Sequence, residues 1–320
     1  SFLKNTWKLM IDIVIVNWNS GELINSCIKS IHKHQDKAIN KIIVVDNGST
    51  DGSDSSLEDF PLVNLVRAKS NLGFAKACNL GAQYTTNDFI LFLNPDTVIY
   101  PDTFKKVLDF MSEPNQQSFG ICGIKLIDEE QKVLRHCSRI PKPNSFIFHA
   151  IGIDRFFPKL GYVMSEWDHL TTKEVDHVIG AFYLVRRFVF EKLNGFDERF
   201  FVYLEDIDFS SRAKKIGWNC IYYSDVHAHH LCGGSSNKVK SKRLFYSVRS
   251  RLLYSLKHFA LFDSAKIFIV SIIIEPLTRV IWATRLMSIE SLRESIIAYG
   301  YLLNWIYKKL KLKFKFKRTL

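Results

Sequence analysis

The 320-residue chain lacks the marks of several large protein classes. Its cysteines (Cys27, Cys78, Cys122, Cys137, Cys220 and Cys232) form no CxxC pair, which argues against a zinc site or a disulfide framework and makes a reducing cytosolic setting the expectation. The run IDIVIV at Ile11–Val16 is followed by one nearby glycine, Gly21, where a dinucleotide-binding turn needs several so that backbone can approach a pyrophosphate. Ser1 to Met10 carry lysines without a long apolar run or a small-residue cleavage site, so no signal peptide is expected. A spanning helix needs about 20 predominantly apolar residues. The apolar segment Ile267–Ile274 is bounded by Lys266 and by Glu275, Pro276 and Arg279, and suits an interfacial or buried helix better.

Acidic residues are scarce in one place only. Residues 1–240 hold 28 Lys+Arg against 28 Asp+Glu, whereas 241–320 hold 16 against 4, so the net charge of +12 sits in the last quarter. A basic appendage on a neutral body is the expected organisation, with domains at 10–240 and 241–320. The break is marked by Gly233-Gly234-Ser235-Ser236-Asn237.

What is present is 47% hydrophobic, ample for a sizeable core. Strands are predicted at Ile11–Val16, Lys41–Val45, Val63–Val66, Phe89–Leu93, Gly120–Ile127 and Val178–Val185. Helices are predicted over Glu22–His34, Asn71–Tyr84, Phe188–Leu193 and Glu205–Ile216, with a loop-rich stretch between residues 127 and 178 and further helices after 240. This alternation implies an α/β fold with an open, mostly parallel sheet, in which ligands bind beyond the carboxyl ends of the strands. Polar clusters at 17–19, 46–51 and 94–96 each follow such an end, which places one site.

Each cluster has a chemical and a bland interpretation. Asp96 in Asn94-Pro95-Asp96 can hold Mg²⁺ or Mn²⁺ against a diphosphate, or sit in an ordinary turn. Asp46 can accept the N3–H of a pyrimidine base, or cap the Gly48–Thr50 turn. Glu205-Asp206-Ile207-Asp208 can supply a general base, or complement a helix dipole. His227, His229 and His230 precede Cys232 without the spacing of a zinc site; one histidine assisting a metal–diphosphate complex is the alternative.

The stretches IVIVNWN, IIVVDNGSTDGS, NLGFAKACNLG, FILFLNPDT, IGAFYLVRR, LNGFDERFFVYLEDIDFSSRAKKIGW and HHLCGGSS together resemble the family 2 glycosyltransferases of the GT-A fold, in particular a bacterial rhamnosyltransferase-like branch. They run in family order over about residues 11–236. The resemblance implies that Asn17, Asn19 and Asp46 line the nucleoside pocket and that Gly73 lets backbone approach the base. It implies that Asp96 is the last acid of the metal motif, with Asn94 in place of the first, and that His230 (His229 as runner-up) reaches the metal or diphosphate. Asp206 matches the catalytic base, with Glu205 and Asp208 as supporting acids. The expected reaction is inverting transfer of a sugar, L-rhamnose from dTDP-L-rhamnose or a UDP-sugar as alternative, to a polyprenyl-diphosphate-linked glycan in surface polysaccharide (O-antigen or similar) synthesis.

The chain's end, YLLNWIYKKLKLKFKFKRTL, interleaves lysines with Trp305, Tyr307, Leu310, Phe314 and Phe316. Such a pattern suits an anionic membrane surface, nucleic acid or a solvated tail. With an otherwise neutral body, the expectation is a peripheral enzyme on the cytoplasmic face of the bacterial inner membrane, with no nucleic-acid partner. A nucleotidyltransferase would carry a basic Gly-rich loop after the first strand, and a non-catalytic scaffold has no need of Asp96 and Asp206 together.

Overall fold

The computed structural model describes residues 9–34, 38–231 and 239–317, with side chains as far as Lys311. They divide into two compact units. The first takes the described residues of Ser1–Ile140, Val163–Phe201 and Glu205–Ser235, the second those of Pro141–Tyr162, Val202–Leu204 and Ser236–Leu320.

In chain order the elements are β1 (Ile11–Asn17), α1 (Glu22–Lys33), β2 (Ile39–Asp46), β3 (Val63–Arg67), α2 (Phe74–Ala82), β4 (Phe89–Leu93), β5 (Thr97–Ile99), α3 (Thr103–Ser112) and β6 (Phe119–Ile127). Then follow α4 (Pro143–Ile151), β7 (Lys173–Val175), β8 (Phe182–Arg186), α5 (Arg187–Lys192), α6 (Glu205–Lys215) and β9 (Asn219–His230). The first unit is a nine-stranded sheet in the order β3-β2-β1-β4-β8-β6-β9-β5, with β7 pairing β9. β3, β2, β1 and β4 are parallel; β8 runs antiparallel to β4 and β6, and β5 and β7 antiparallel to β9.

The apolar runs of β1, β2 and β4 follow from burial on both faces. Alternation splits them between two cores. Ile13, Ile15, Ile42, Val44 and Leu91 pack with Ile24, Cys27 and Ile28 of α1, while Val14, Val16, Ile43, Val45 and Phe92 pack with Ala75 and Cys78 of α2. Each such side chain contributes about 1.5–3 kcal/mol. Asp12, the polar exception in β1, is fully buried but satisfied: it accepts Thr86 N–H at 2.6 Å, Asn87 N–H at 2.9 Å and Asn40 Nδ2 at 2.9 Å.

Three expectations are corrected. The helix expected from Asn71 begins at Phe74, because Gly73 has φ +86° and Asn71 Oδ1 accepts the Gly73 N–H at 2.9 Å, which makes 71–73 a loop. β8 begins at Phe182 rather than Val178, since Gly180 N–H and the Ala181 carbonyl bond outside the sheet, to Asp206 and Asn94. The 10–240 boundary also fails for residues 141–162, which belong with the second unit. Phe146 of α4 is buried there, edge-on to Tyr254 and Phe259.

The second unit adds α7 (Lys240–His258), α8 (Leu261–Ile269), a π turn (Val270–Ile274), α9 (Glu275–Arg285) and α10 (Ile289–Lys317). α8, the π turn and α9 are continuous. The apolar stretch expected over Ile267–Ile274 is therefore part of a 25-residue helix, Leu261–Arg285, whose most apolar 18-residue window has mean hydropathy 1.7, long and apolar enough to cross a membrane by length and composition. Midway along it, Glu275 is buried and paired with Arg251 and Arg279. Trp305 does not stand free of the fold: the Arg249 guanidinium lies over its ring, 5.4 Å from the centroid.

Candidate active site

Parallel pairing sets Asn17 directly against Asp46 at the exits of β1 and β2. Asn17 Nδ2 donates to Asp46 Oδ1 at 2.9 Å and to Ser53 Oγ at 2.9 Å, and Ser49 N–H donates to Asp46 Oδ2 at 3.1 Å. Asp46 thus caps its turn, as the simpler of its two expected roles requires. A carboxylate oxygen accepts more than one hydrogen bond, so the second role is compatible with the first. Asn19, at φ +51°, accepts Thr50 N–H on its Oδ1 at 2.7 Å and donates its own N–H to Ser49 Oγ at 3.0 Å. Asn17, Asn19 and Asp46 therefore form one hydrogen-bonded group around Ser49.

Gly73 joins this group through Asn47, whose Oδ1 accepts Leu72 N–H at 2.8 Å and whose Nδ2 donates to the Gly73 carbonyl at 3.3 Å. A Cβ at Gly73 would lie 2.5 Å from the Phe201 carbonyl oxygen, and Phe74 N–H donates to that same oxygen at 2.6 Å. The close approach that demands glycine is thus to the segment leading towards α6.

Asn94 and Asp96 lie between β4 and β5. The β5–β9 ladder sets Thr97 opposite His230, which brings His230 Nε2 to 3.2 Å from Asp96 Oδ1 and 3.5 Å from Asn94 Nδ2. Strand parity separates the histidines: Val226, Ala228 and His230 are buried, while His227 and His229 face the other side and are half-buried. His230, not His229, is therefore at Asp96. Beneath the turn, Cys27 Sγ contacts the Asn94 carbonyl at 3.7 Å. Burial, with the Asp96 charge second, pushes that thiol well up, so it is no nucleophile.

The three acids of α6 differ sharply. Asp208 is fully buried and paired with Arg212 at 2.8 Å, which also donates to the Leu193 and Gly195 carbonyls at 2.8 and 2.9 Å. It ties the helix to the turn after α5. Glu205 is 4% exposed; burial first, then the Asp206 and Asp208 charges, push its carboxyl well above the usual range, and its Oε2 has no hydrogen-bond partner among the described residues. Asp206 keeps a side-chain exposure of 14%. Its Oδ2 accepts Gly180 N–H at 3.1 Å and its Oδ1 accepts Ile207 N–H at 2.8 Å. The chain reaches α6 through two consecutive residues at positive φ, Tyr203 (+70°) and Leu204 (+65°), a costly conformation for residues other than glycine.

Gly180 and Ala181 link the two ends of the site. Gly180 N–H holds Asp206, and the next carbonyl, of Ala181, accepts Asn94 N–H at 3.1 Å. The structure thus brings together Asn17, Asn19 and Asp46 as one group, Asn94, Asp96 and His230 as another, and Glu205 with Asp206 as a third. Gly180, Ala181 and Asn47 were missed as positioning residues. The signal available was two small residues opening an apolar strand, and an asparagine directly following Asp46.

The open, mostly parallel sheet flanked by helices, with acids at a strand exit and a helix start, has the GT-A architecture of glycosyltransferases. Residues 12–194 match the model of Glycosyl transferase family 2, and the chain belongs to that family. It is 25% identical over 260 residues, 77% of this chain and 83% of the other, to N-acetylglucosaminyl-diphospho-decaprenol L-rhamnosyltransferase of Mycobacterium tuberculosis. It is 26% identical to the rhamnosyltransferase WbbL of Escherichia coli K12, over 77% of this chain and 92% of that one. Among solved structures, a Pyrobaculum calidifontis mannosyltransferase in complex with GDP-Man and Mn²⁺ shares the fold with a TM-score of 0.54 at 17% identity, covering 95% of this chain and 88% of that one.

Proposed function

We propose that this glycosyltransferase moves L-rhamnose from dTDP-L-rhamnose, with inversion, to a hydroxyl of a polyprenyl-diphosphate-linked glycan in bacterial surface polysaccharide synthesis. The carrying observation is the Gly180–Ala181 bracket, which ties Asp206 to the Asn94–Asp96 turn. Asp206 accepts the acceptor hydroxyl proton as the oxygen attacks the anomeric carbon, and the nucleoside diphosphate leaves from the opposite face. Asn17, Asn19, Asp46 and the Asn71–Gly73 loop hold the nucleoside. Rhamnose as the sugar and a lipid-linked acceptor are supported by the names of the relatives above.

Asp96 and His230 fit a divalent ion, Mg²⁺ or Mn²⁺: a carboxylate and an imidazole lie 3.2 Å apart, both largely buried. Among the described residues no group of three or more His, Cys, Asp or Glu could hold one, so further ligands would come from the donor diphosphate. When bound, such an ion supplies positive charge to the leaving group.

The helical unit docks on the cytoplasmic leaflet in this reading. Phe262, Ile269, Ile273, Leu277 and Ile281 are 54–77% exposed along Leu261–Arg285. The buried ion pairs of Glu275 favour a helix lying in the interface over one that spans. A thermal-shift panel of dTDP- and UDP-sugars with Mg²⁺, Mn²⁺ or EDTA tests the donor. The largest stabilisation is expected from dTDP-L-rhamnose with metal; a larger one from a UDP-sugar would replace the thymine reading.

A further inference from the structure

Behind Asp206 lies a chain of buried polar groups that the proposed reaction does not yet use. His177, in the segment leading to β8, is 3% exposed. Its Nε2 is 3.5 Å from Asp206 Oδ2, and its Nδ1 is 3.0 Å from Ser210 Oγ. Ser210, one turn along α6 from Asp206, is 1% exposed, and its Oγ is 2.8 Å from the hydroxyl of fully buried Tyr183 in β8. Ser138 N–H donates to the His177 carbonyl at 3.0 Å, which pins the backbone that carries the ring.

The chemistry of these groups fixes one direction of donation. A carboxylate only accepts, so the imidazole is useful to Asp206 when Nε2 carries the proton. Nδ1 is then the acceptor, and Ser210 O–H donates to it while Tyr183 O–H donates to Ser210 Oγ. Every proton in the chain has an acceptor in this arrangement. From these contacts we infer that His177 is a positioning residue for the reaction, its neutral imidazole donating Nε2–H to Asp206 and, with Gly180 N–H, holding Oδ2 so that Oδ1 faces the acceptor hydroxyl. The inference rests on Asp206 being the base. Catalytic hydrogen bonds are often long before substrate binds and tighten in the complex, as 3.5 Å here requires. Burial lowers the His177 pKa against the raising influence of Asp206 and Asp176, in keeping with a neutral ring.

The ionisable groups facing this pair are Glu205 and Asp208 on α6, Cys78 on α2, Tyr183 on β8, Asp176 beside His177, and His136. Asp176 is paired with Lys214 and Asp208 with Arg212. Burial pushes the Glu205 carboxyl, the Cys78 thiol and the Tyr183 phenol up, and it lowers the His136 pKa to about 3. The thiol, the phenol and the His136 imidazole are then uncharged near neutral pH. Asp206 and its nearest imidazole are therefore the pair that a substitution at 177 would disturb.

The test compares His177→Phe, His177→Gln and Asp206→Asn in the full chain, following dTDP release from dTDP-L-rhamnose. In His177→Phe, kcat is expected to fall about tenfold with the donor KM unchanged. The acid limb of kcat/KM should also rise by about one pH unit, because loss of a donor favours the protonated carboxylic acid. His177→Gln, which keeps an N–H at the same reach, should restore most of both. An unmoved acid limb in His177→Phe, with Asp206→Asn inactive, would overturn the role of His177 alone; an active Asp206→Asn would instead remove the base. Should His177→Phe fail to fold, Ser210→Ala decides, with the same direction of shift expected and an unmoved limb contradicting it. A measurement free of turnover is the ¹⁵N spectrum of His177: a neutral Nε2–H tautomer is expected, and an Nδ1–H tautomer would overturn the inference.

Discussion

The two halves of the sheet are built on different terms. In β3, β2, β1 and β4 every strand is parallel, and the residues at the exits of β1 and β2 bond one another: Asn17 to Asp46, Asp46 to Ser49, Ser49 to Asn19. In the half made by β8, β6, β9 and β5 the directions are mixed, and Asp206 comes from a helix start among two buried acids. The first half is a cradle whose polar groups are largely satisfied before a ligand arrives. The second holds charges close together under burial, the condition under which acid–base groups are tuned. Substitutions in the two halves should therefore fail differently.

Apart from loss of the base itself, the largest effect is expected where the halves meet. Asp96→Ala should cost about 10²–10³-fold in turnover, the scale of losing one charge-stabilising group. Metal-dependent donor affinity should fall with it, and calorimetric titration beside initial rates checks both. A stability effect comes next. Arg212→Met removes the buried ion pair with Asp208 and two hydrogen bonds to the turn after α5, and about 3–5 kcal/mol should be lost in denaturant unfolding. A cost near zero would mean that α6 is held by packing alone.

The smallest effect concerns Glu205. Its folded pKa is raised, so the stability tied to its proton is fully present below the unfolded carboxyl value and is lost as pH rises through the folded value. Glu205→Gln carries no such dependence. Its Tm should match wild type at mildly acidic pH and exceed it increasingly towards alkaline pH; a gap that closed instead would contradict the burial of a protonated carboxyl.

The same division governs what the sequence disclosed. The expected bounds of β4 match Phe89–Leu93, and those of β1 and β2 lie within one or two residues, because strands buried on both faces are predominantly apolar runs. β9 was not legible. Seven of its residues alternate or cluster inward, but Ser224 and His230 are among them, so the apolar period is broken. The expected elements do not include α3, and α4 lies within the stretch expected to be loop-rich. At the site, Asp46, Asp96 and Asp206 stood out as acids at element ends. His177 and Gly180 did not, since their roles depend on a contact with α6 some 30 residues later. The preference for His230 over His229 rests on the resemblance in the sequence; strand parity with Val226 and Ala228 gives the same choice a physical reason once β9 is known.

The comparison turns on Asp206, and one variant tests it most directly. Asp206→Asn keeps the side chain's size and can still bond Gly180 N–H through its amide oxygen. Calorimetric titration with dTDP-L-rhamnose and Mn²⁺, alongside dTDP release in the presence of a polyprenyl-diphosphate-linked glycan, should show donor affinity within about twofold of wild type. Turnover should fall by about 10²–10⁴-fold, the usual worth of a general base. Near-normal turnover with intact binding would contradict the account.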